Sequence, residues 1–136
     1  MHEKATRYFL WIMAAFYAAG ALVHANNLLG AIGAPTPSSP LKWQVLDVLY
    51  LCLDLAVVYG AVRSRPWTLA CLGAAAILQS LLYTVLRRWL LDVPEAVVPA
   101  APAVAHLDGL VAFHALTLVA IAVLLAWGSA ARRRGN

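Results

Sequence analysis

The sequence predicts an all-α integral membrane protein, built as an antiparallel bundle of four transmembrane helices with both termini in the cytoplasm. Its composition is the first reason. Hydrophobic residues make up 63% of the 136 residues and charged residues 12%, against about half and about a quarter in an average soluble domain. A small globule has too little polar surface to cover so much apolar material, so the chain needs the bilayer as its solvent. Four apolar runs and the placement of the basic residues are the other reasons.

The four apolar runs have the length of transmembrane helices. A helix needs about 20 apolar residues to cross a hydrocarbon core of about 30 Å. We predict these helices at residues 8–30, 41–62, 66–86 and 104–128. With a basic cytoplasmic tail at residues 129–136, they form a single membrane domain that covers residues 1–136.

Proline-containing segments separate the predicted helices. The segment "GAPTPSSP" joins the first two, and "DVPEAVVPAAPA" joins the last two. The second connection, "RSRP", is only a tight turn, with Pro66 near the start of the next helix, where its missing N–H costs nothing. So short a turn makes the second and third helices antiparallel neighbours.

The basic residues predict which side of the membrane each helix end occupies. Seven of the ten lysines and arginines share one side: Lys4, Arg7, Arg63, Arg65, Arg132, Arg133 and Arg134. Lys42, Arg87 and Arg88 lie on the other side. The excess of positive charge on cytoplasmic segments then places both termini in the cytoplasm and the chain in the cell's inner (plasma) membrane. Membrane lipids are the expected partners, and the basic face with aromatic platforms of a nucleic-acid site is missing.

A polar stripe runs along the second predicted helix, in the segment "WQVLDVLYLCLD". Trp43, Asp47, Tyr50 and Asp54 follow one another at spacings of four, three and four residues, which places them on one helix face. Asp54 falls near the middle of the membrane, where a charged side chain costs at least a few kcal/mol and usually marks a function.

The other predicted helices carry similar stripes, which together form two layers. The outer layer contains His24, Asn27, Asp47, Tyr83, Arg87 and His106. The deeper layer contains Tyr17, Tyr50, Asp54, Gln79 and His114. Because ionisable residues in membranes nearly always face the interior of a bundle, we expect the stripes to surround a pocket that opens outward. Gly20 on the first helix allows close approach at this face.

Such a pocket predicts the binding, and the acid–base transformation, of a small lipophilic molecule. Burial favours the neutral forms of aspartate and histidine, which can then exchange protons near neutral pH. Groups of this kind suit isomerisation, hydration or epoxide opening, as in an isomerase or a hydrolase. The candidate catalytic residues are Asp54, His114, Asp47 and Tyr50. The candidate ligand-binding residues are His24, Asn27, Tyr17, Gln79, Tyr83, Arg87, His106 and Trp43.

The same residues also have structural interpretations. Asp47 at a helix end can pair with Lys42 or Arg87, and Asp54 can form a buried hydrogen bond with His114 or Gln79. Hydrogen bonds of this kind between membrane helices are modest in strength.

Three other functions stay open from the sequence. No cofactor is predicted, but a metal or haem site at His24, His106 and His114 is an alternative. A proton-coupled transporter is a second alternative, although the cytoplasmic halves of the helices are apolar. An accessory subunit of a larger membrane complex is the third, and a homo-oligomer is compatible with all of them.

Overall fold

The computed structural model describes residues 2–30, 40–93 and 101–135, and all regular structure within these ranges is helical. The helices are α1 (His2–Leu29), α2 (Leu41–Val62), α3 (Thr68–Tyr83), α4 (Arg87–Leu91) and α5 (Ala101–Gly135). No strand occurs in the described ranges. The predicted all-α class is therefore confirmed.

Three of the helices are long and apolar enough to cross a membrane. The segments with this length and composition are Glu3–Leu29, Leu41–Val62 and Ala105–Ala131. They correspond to the first, second and fourth predicted spans. Helix α3 is apolar but has only 16 residues, about 24 Å at 1.5 Å per residue. Alone it is shorter than a hydrocarbon core of about 30 Å.

A break after Tyr83 shortens α3. The Thr84 hydroxyl donates to the carbonyl of Ser80 at 2.6 Å, and this type of bond back to the preceding turn often bends helices. The amide of Leu86 then reaches the carbonyl of Leu81 at 3.0 Å, one residue further back than in an α-helix. Helix α3 thus ends at Tyr83, before the predicted end at residue 86, and the short helix α4 follows beyond the predicted span.

Helix α4 is fastened to the start of α2. The indole nitrogen of Trp43 donates to the carbonyl of Leu90 at 2.9 Å. The Lys42 ammonium donates to the carbonyls of Trp89 and Asp92 and lies 5.2 Å from the Trp89 ring. These bonds satisfy carbonyls at the end of α4 that lack helical partners, and they hold α4 against the start of α2.

The four longer helices contact one another in a closed ring. Helix α1 packs mainly on α2 and α3 mainly on α5, while α2 also contacts α3 and α1 touches α5 only sparsely. Successive pairs are antiparallel. Late α1 meets early α2 where His24 contacts Asp47, and late α3 meets early α5 where Tyr83 lies near His114.

The half of the ring near the chain's N-terminus is densely packed. Val57, Leu72 and Ala75 are completely buried there. At Gly60 of α2, an added Cβ atom would lie 2.5 Å from the Thr68 hydroxyl and 2.9 Å from the Trp67 ring. The missing side chain at Gly60 is what lets α2 and α3 meet so closely at the tight turn.

Candidate functional site

Two adjoining cavities occupy the other half of the molecule, below α4. The outer cavity has a volume of about 350 Å³, and the deep cavity has a volume of about 320 Å³. His24 and Tyr83 line both cavities, so the two are neighbouring chambers of one polar region. The side chains that line them come from every helix of the described chain.

The outer cavity is organised around Asp47. Its Oδ1 atom lies 2.7 Å from Nδ1 of His24 and accepts a second bond from the Asn27 amide nitrogen at 3.1 Å. Both donors lie on α1 one turn apart, so Asp47 ties α1 to α2. The ring of His24 is also 5.2 Å from that of Tyr50. Pairing of Asp47 with Lys42 or Arg87, considered from the sequence, is not what the structure has.

The deep cavity has Asp54 in its wall, only 3% exposed. The carboxyl group lies directly against the backbone of α1. A Cβ atom added at Gly20 would be 2.6 Å from Oδ2 of Asp54. The close approach expected at Gly20 is therefore present, and it gives the carboxyl group its position beside the cavity.

His114 is the most unusual group in this cavity. Its side chain is 2% exposed, and neither ring nitrogen has a hydrogen-bond partner among the residues that the structure describes. The hydroxyl group of Tyr17 is also buried without a partner in the described ranges. Buried polar groups are nearly always hydrogen-bonded, and leaving one unsatisfied costs about 1–3 kcal/mol. These atoms are therefore suited to contact a molecule in the cavities.

The structure brings almost all of the predicted site residues to the two cavities. Those lining the outer cavity are His24, Asn27, Trp43, Asp47, Tyr50 and Tyr83. Those lining the deep cavity are Tyr17, His24, Asp54, Gln79, Tyr83, His106 and His114. Tyr50 was expected in the deeper layer but lines the outer cavity, whereas His106 was expected in the outer layer but lines the deep one.

Arg87 is the predicted site residue that lines neither cavity. Its guanidinium group forms an ion pair with Asp108 of α5, which is largely exposed. The break between α3 and α4 explains this position. The spacing of Gln79, Tyr83 and Arg87 assumes a continuous helix, and the wide turn at Leu86 changes the direction of the residues that follow.

Apolar residues of the cavity walls were missed by the sequence analysis. Phe16, Ala19 and Val23 line the deep cavity, and Leu90 and Leu91 of α4 line the outer one. Phe16, Ala19 and Val23 are spaced by three and four residues, which places them on one helix face. That spacing was a usable signal, whereas the position of α4 depends on a break that no sequence pattern marked.

The deep cavity brings together a carboxyl group and three imidazoles. Asp54, His24, His106 and His114 all line it. Within residues 2–30, 40–93 and 101–135, no group of three histidine, cysteine or acidic side chains is placed to hold a metal ion. The metal or haem alternative at these histidines stays a prediction.

The chain matches no family model, no curated protein and no solved structure. Function is therefore inferred from the residues of the site alone.

Proposed function

We propose that this chain is a four-helix transmembrane bundle of the inner (plasma) membrane whose adjoining cavities bind a small, largely apolar molecule. In this arrangement α3 and α4 together form the third span in chain order, and both termini are cytoplasmic. The orientation is supported by the exposed basic side chains Lys4, Arg7, Arg63 and Arg65, which lie where the start of α1 meets the α2–α3 turn. The cavities then lie in the outer half of the membrane.

The observation that carries the proposal is the burial of His114. An imidazole with two unpartnered nitrogens is costly to bury, and a molecule in the cavity that supplies hydrogen bonds repays that cost. Asp54 lines the same cavity, so a polar group placed there can contact both side chains.

The size and chemistry of the cavities also suit a small lipophile. Ligand pockets in proteins usually measure about 300–1,000 Å³ and are mostly apolar, with a few placed polar groups. Each cavity falls within that range, at about 350 and 320 Å³. Leucine and aromatic side chains form most of the outer cavity's wall, and the wall of the deep cavity combines apolar side chains with Asp54, Gln79 and three histidines.

Acid–base transformation of the bound molecule is the finer form of this proposal. Asp54 and His114 would move a proton at the base of the pocket, with Asp47 and Tyr50 orienting the molecule from above. The reaction class is isomerisation, hydration or epoxide opening, because these need proton transfer at an otherwise apolar substrate.

The binding proposal is tested by what co-purifies with the protein. Wild-type protein, Asp54→Asn and His114→Ala are purified in parallel and extracted with organic solvent, and the extracts are compared by mass spectrometry. We expect one molecule to be enriched with wild type and depleted with both variants. Thr117→Val is the matched control, because Thr117 is buried on the same helix but lines neither cavity. Identical extracts from wild type and both site variants would refute the proposal.

The acid–base form needs a separate test. Protein carrying the extracted molecule is incubated in D₂O or in H₂¹⁸O. The mass of the molecule is then measured again by mass spectrometry. Isomerisation through proton transfer introduces deuterium at carbon, whereas hydration and epoxide opening introduce ¹⁸O. We expect Asp54→Asn to abolish the incorporation. If the molecule bound to wild-type protein gains neither isotope, the acid–base form is contradicted and the proposed function is binding alone.

A further inference from the structure

The contact between α1 and α5 is the weakest side of the helix ring, and the deep cavity lies directly behind it. Helix α1 touches α5 only sparsely, unlike α1 with α2 or α3 with α5. The wall residues at this seam are accessible from outside. Phe16 is 44% exposed and Val23 is 54% exposed, yet both line the deep cavity. The cavity therefore reaches the molecular surface between α1 and α5.

The seam opens at the depth of the acyl chains. The centre of the Ala105–Ala131 segment is residue 118, four residues from His114. The centre of Glu3–Leu29 is residue 16, four residues from Gly20. At 1.5 Å per residue, both positions lie about 6 Å from the membrane centre, well inside a core about 30 Å thick.

The rim of the seam has the chemistry of a lipid-facing surface. Phe16, Ala19, Val23 and Leu110 form most of its edges, and none of these side chains can hydrogen-bond with water. His106, which is exposed, lines the same cavity one turn before Leu110 on α5. At the inner end, the rings of Phe16 and Phe113 stack at a centroid distance of 3.8 Å and an angle of 21°. This aromatic pair joins α1 to α5 below the opening. A stack of two side chains can separate without the loss of any hydrogen bond.

The outer cavity is more open to the surroundings than the deep cavity, but it does not lead freely into it. Helix α4 forms one of its walls and is held by the bond from the Trp43 indole to the Leu90 carbonyl. Passage from the outer to the deep cavity leads past His24, which lines both cavities and is bonded to Asp47. Opening this route therefore costs a hydrogen bond, whereas separating the Phe16–Phe113 stack costs none.

We infer that the ligand reaches the deep cavity sideways from the bilayer, through the seam between α1 and α5. This inference rests on the proposed function and specifies its ligand class. The ligand is a membrane-dissolved lipophile with an uncharged polar end, a hydroxyl or carbonyl group. The polar end contacts His114 and Tyr17, and the apolar remainder extends through the seam towards the lipid.

Thiol labelling in nanodiscs tests the route directly, because nanodiscs expose both membrane faces to reagents. The two free cysteines, Cys52 and Cys71, are replaced by alanine, and Gln79→Cys places a single thiol in the deep cavity. N-ethylmaleimide, which is neutral and dissolves in lipid, is compared with a charged, trimethylammonium methanethiosulfonate reagent. We expect rapid labelling by the maleimide and at least about tenfold slower labelling by the charged reagent.

Blocking the seam supplies the decisive comparison. Ala19→Trp and Val23→Trp place bulk at the rim, while Ala15→Trp places it on an exposed part of α1 outside both cavities. We expect each rim variant to slow maleimide labelling about tenfold or more, and Ala15→Trp to leave it unchanged.

The outcomes separate the route from the function. If the charged reagent labels the thiol and the rim tryptophans do not slow this labelling, the proposed route through the seam is overturned. Ligand binding itself would not be contradicted by that result. Absence of labelling by either reagent would also overturn the route. Seam-dependent labelling of a protein whose extract contains no enriched molecule would support the route and overturn the proposed function.

Discussion

The two halves of the molecule treat buried polar groups in opposite ways. In the inner half, the buried hydroxyls of Thr68 and Thr117 donate to backbone carbonyls at 2.7 and 2.9 Å. At the deep cavity, His114 and Tyr17 have buried polar atoms without partners in the described residues. The inner half is packed around completely buried side chains, and the outer half contains the cavities.

This difference separates structural support from the site. Polar groups that only stabilise a fold are satisfied within it, as in the inner half. Groups that bind a partner are left available on a rigid support, as in the outer half. Among the described residues, the buried aspartate and histidine both line the deep cavity, and the transporter alternative stays a prediction.

Truncating a leucine should cost most in the inner half. Leu72 is completely buried, and Leu72→Ala leaves a cavity that neighbouring helices cannot fill, so we expect a loss of about 2–5 kcal/mol. Leu110→Ala is the matched control, because Leu110 is half-buried and already borders a cavity. The loss of unfolding free energy for Leu110→Ala should be clearly smaller than that for Leu72→Ala. Unfolding by SDS in mixed micelles, followed by circular dichroism, measures both, and equal losses would contradict dense inner packing.

Adding a methyl group at Gly60 should also destabilise the inner half. Its new Cβ atom meets the Thr68 hydroxyl and the Trp67 ring, which belong to the tight turn and cannot easily move. We expect Gly60→Ala to lower the free energy of unfolding by about 1–3 kcal/mol. The same SDS titration checks this, and unchanged stability would show that the turn is looser than described.

The same change at Gly20 should affect binding more than stability. The Cβ atom of Gly20→Ala meets only the carboxyl group of Asp54, a side-chain end that can move into the adjoining cavity. We expect a stability loss at or below about 1 kcal/mol, the lower end of the overpacking range. The amount of co-purified molecule should fall with it. If Gly20→Ala strongly lowers stability but leaves the amount of co-purified molecule unchanged, Gly20 has the structural role that we assign to Gly60.

Breaking the Arg87–Asp108 pair should have the smallest effect. The two side chains are 32% and 65% exposed, and ion pairs in such positions contribute about 0–1 kcal/mol. Because Arg87 lines neither cavity, we expect Arg87→Gln to change both stability and co-purified ligand little. If less ligand co-purifies with Arg87→Gln than with wild type, Arg87 contributes to ligand binding, as the sequence predicted.

Helical spacing and polarity predicted most of the site, because a membrane helix can bury polar residues only on its inner face. Asp47 and Tyr50 line the outer cavity and Asp54 lines the deep one, on the single face of α2 that their spacing predicted. The His24–Asp47 pair could not be predicted, since it depends on the rotation of α1 against α2. Arg87 was predicted on the same helix face as Gln79 and Tyr83, but helical spacing defines a face only within a continuous helix. The helix breaks before Arg87, through local bonds at Thr84 and Leu86.

The imidazole of His114 provides the most direct test of the central claim. Protein labelled with ¹⁵N in the histidine rings is studied by NMR in nanodiscs, as purified, after removal of bound lipophiles, and after the extract is returned. His114→Ala assigns the His114 signals, and His2, outside the transmembrane segments, serves as an internal reference. We predict that the His114 nitrogen signals shift on removal and return on addition, while those of His2 stay fixed. Unchanged His114 signals in all three states would contradict a ligand at this site.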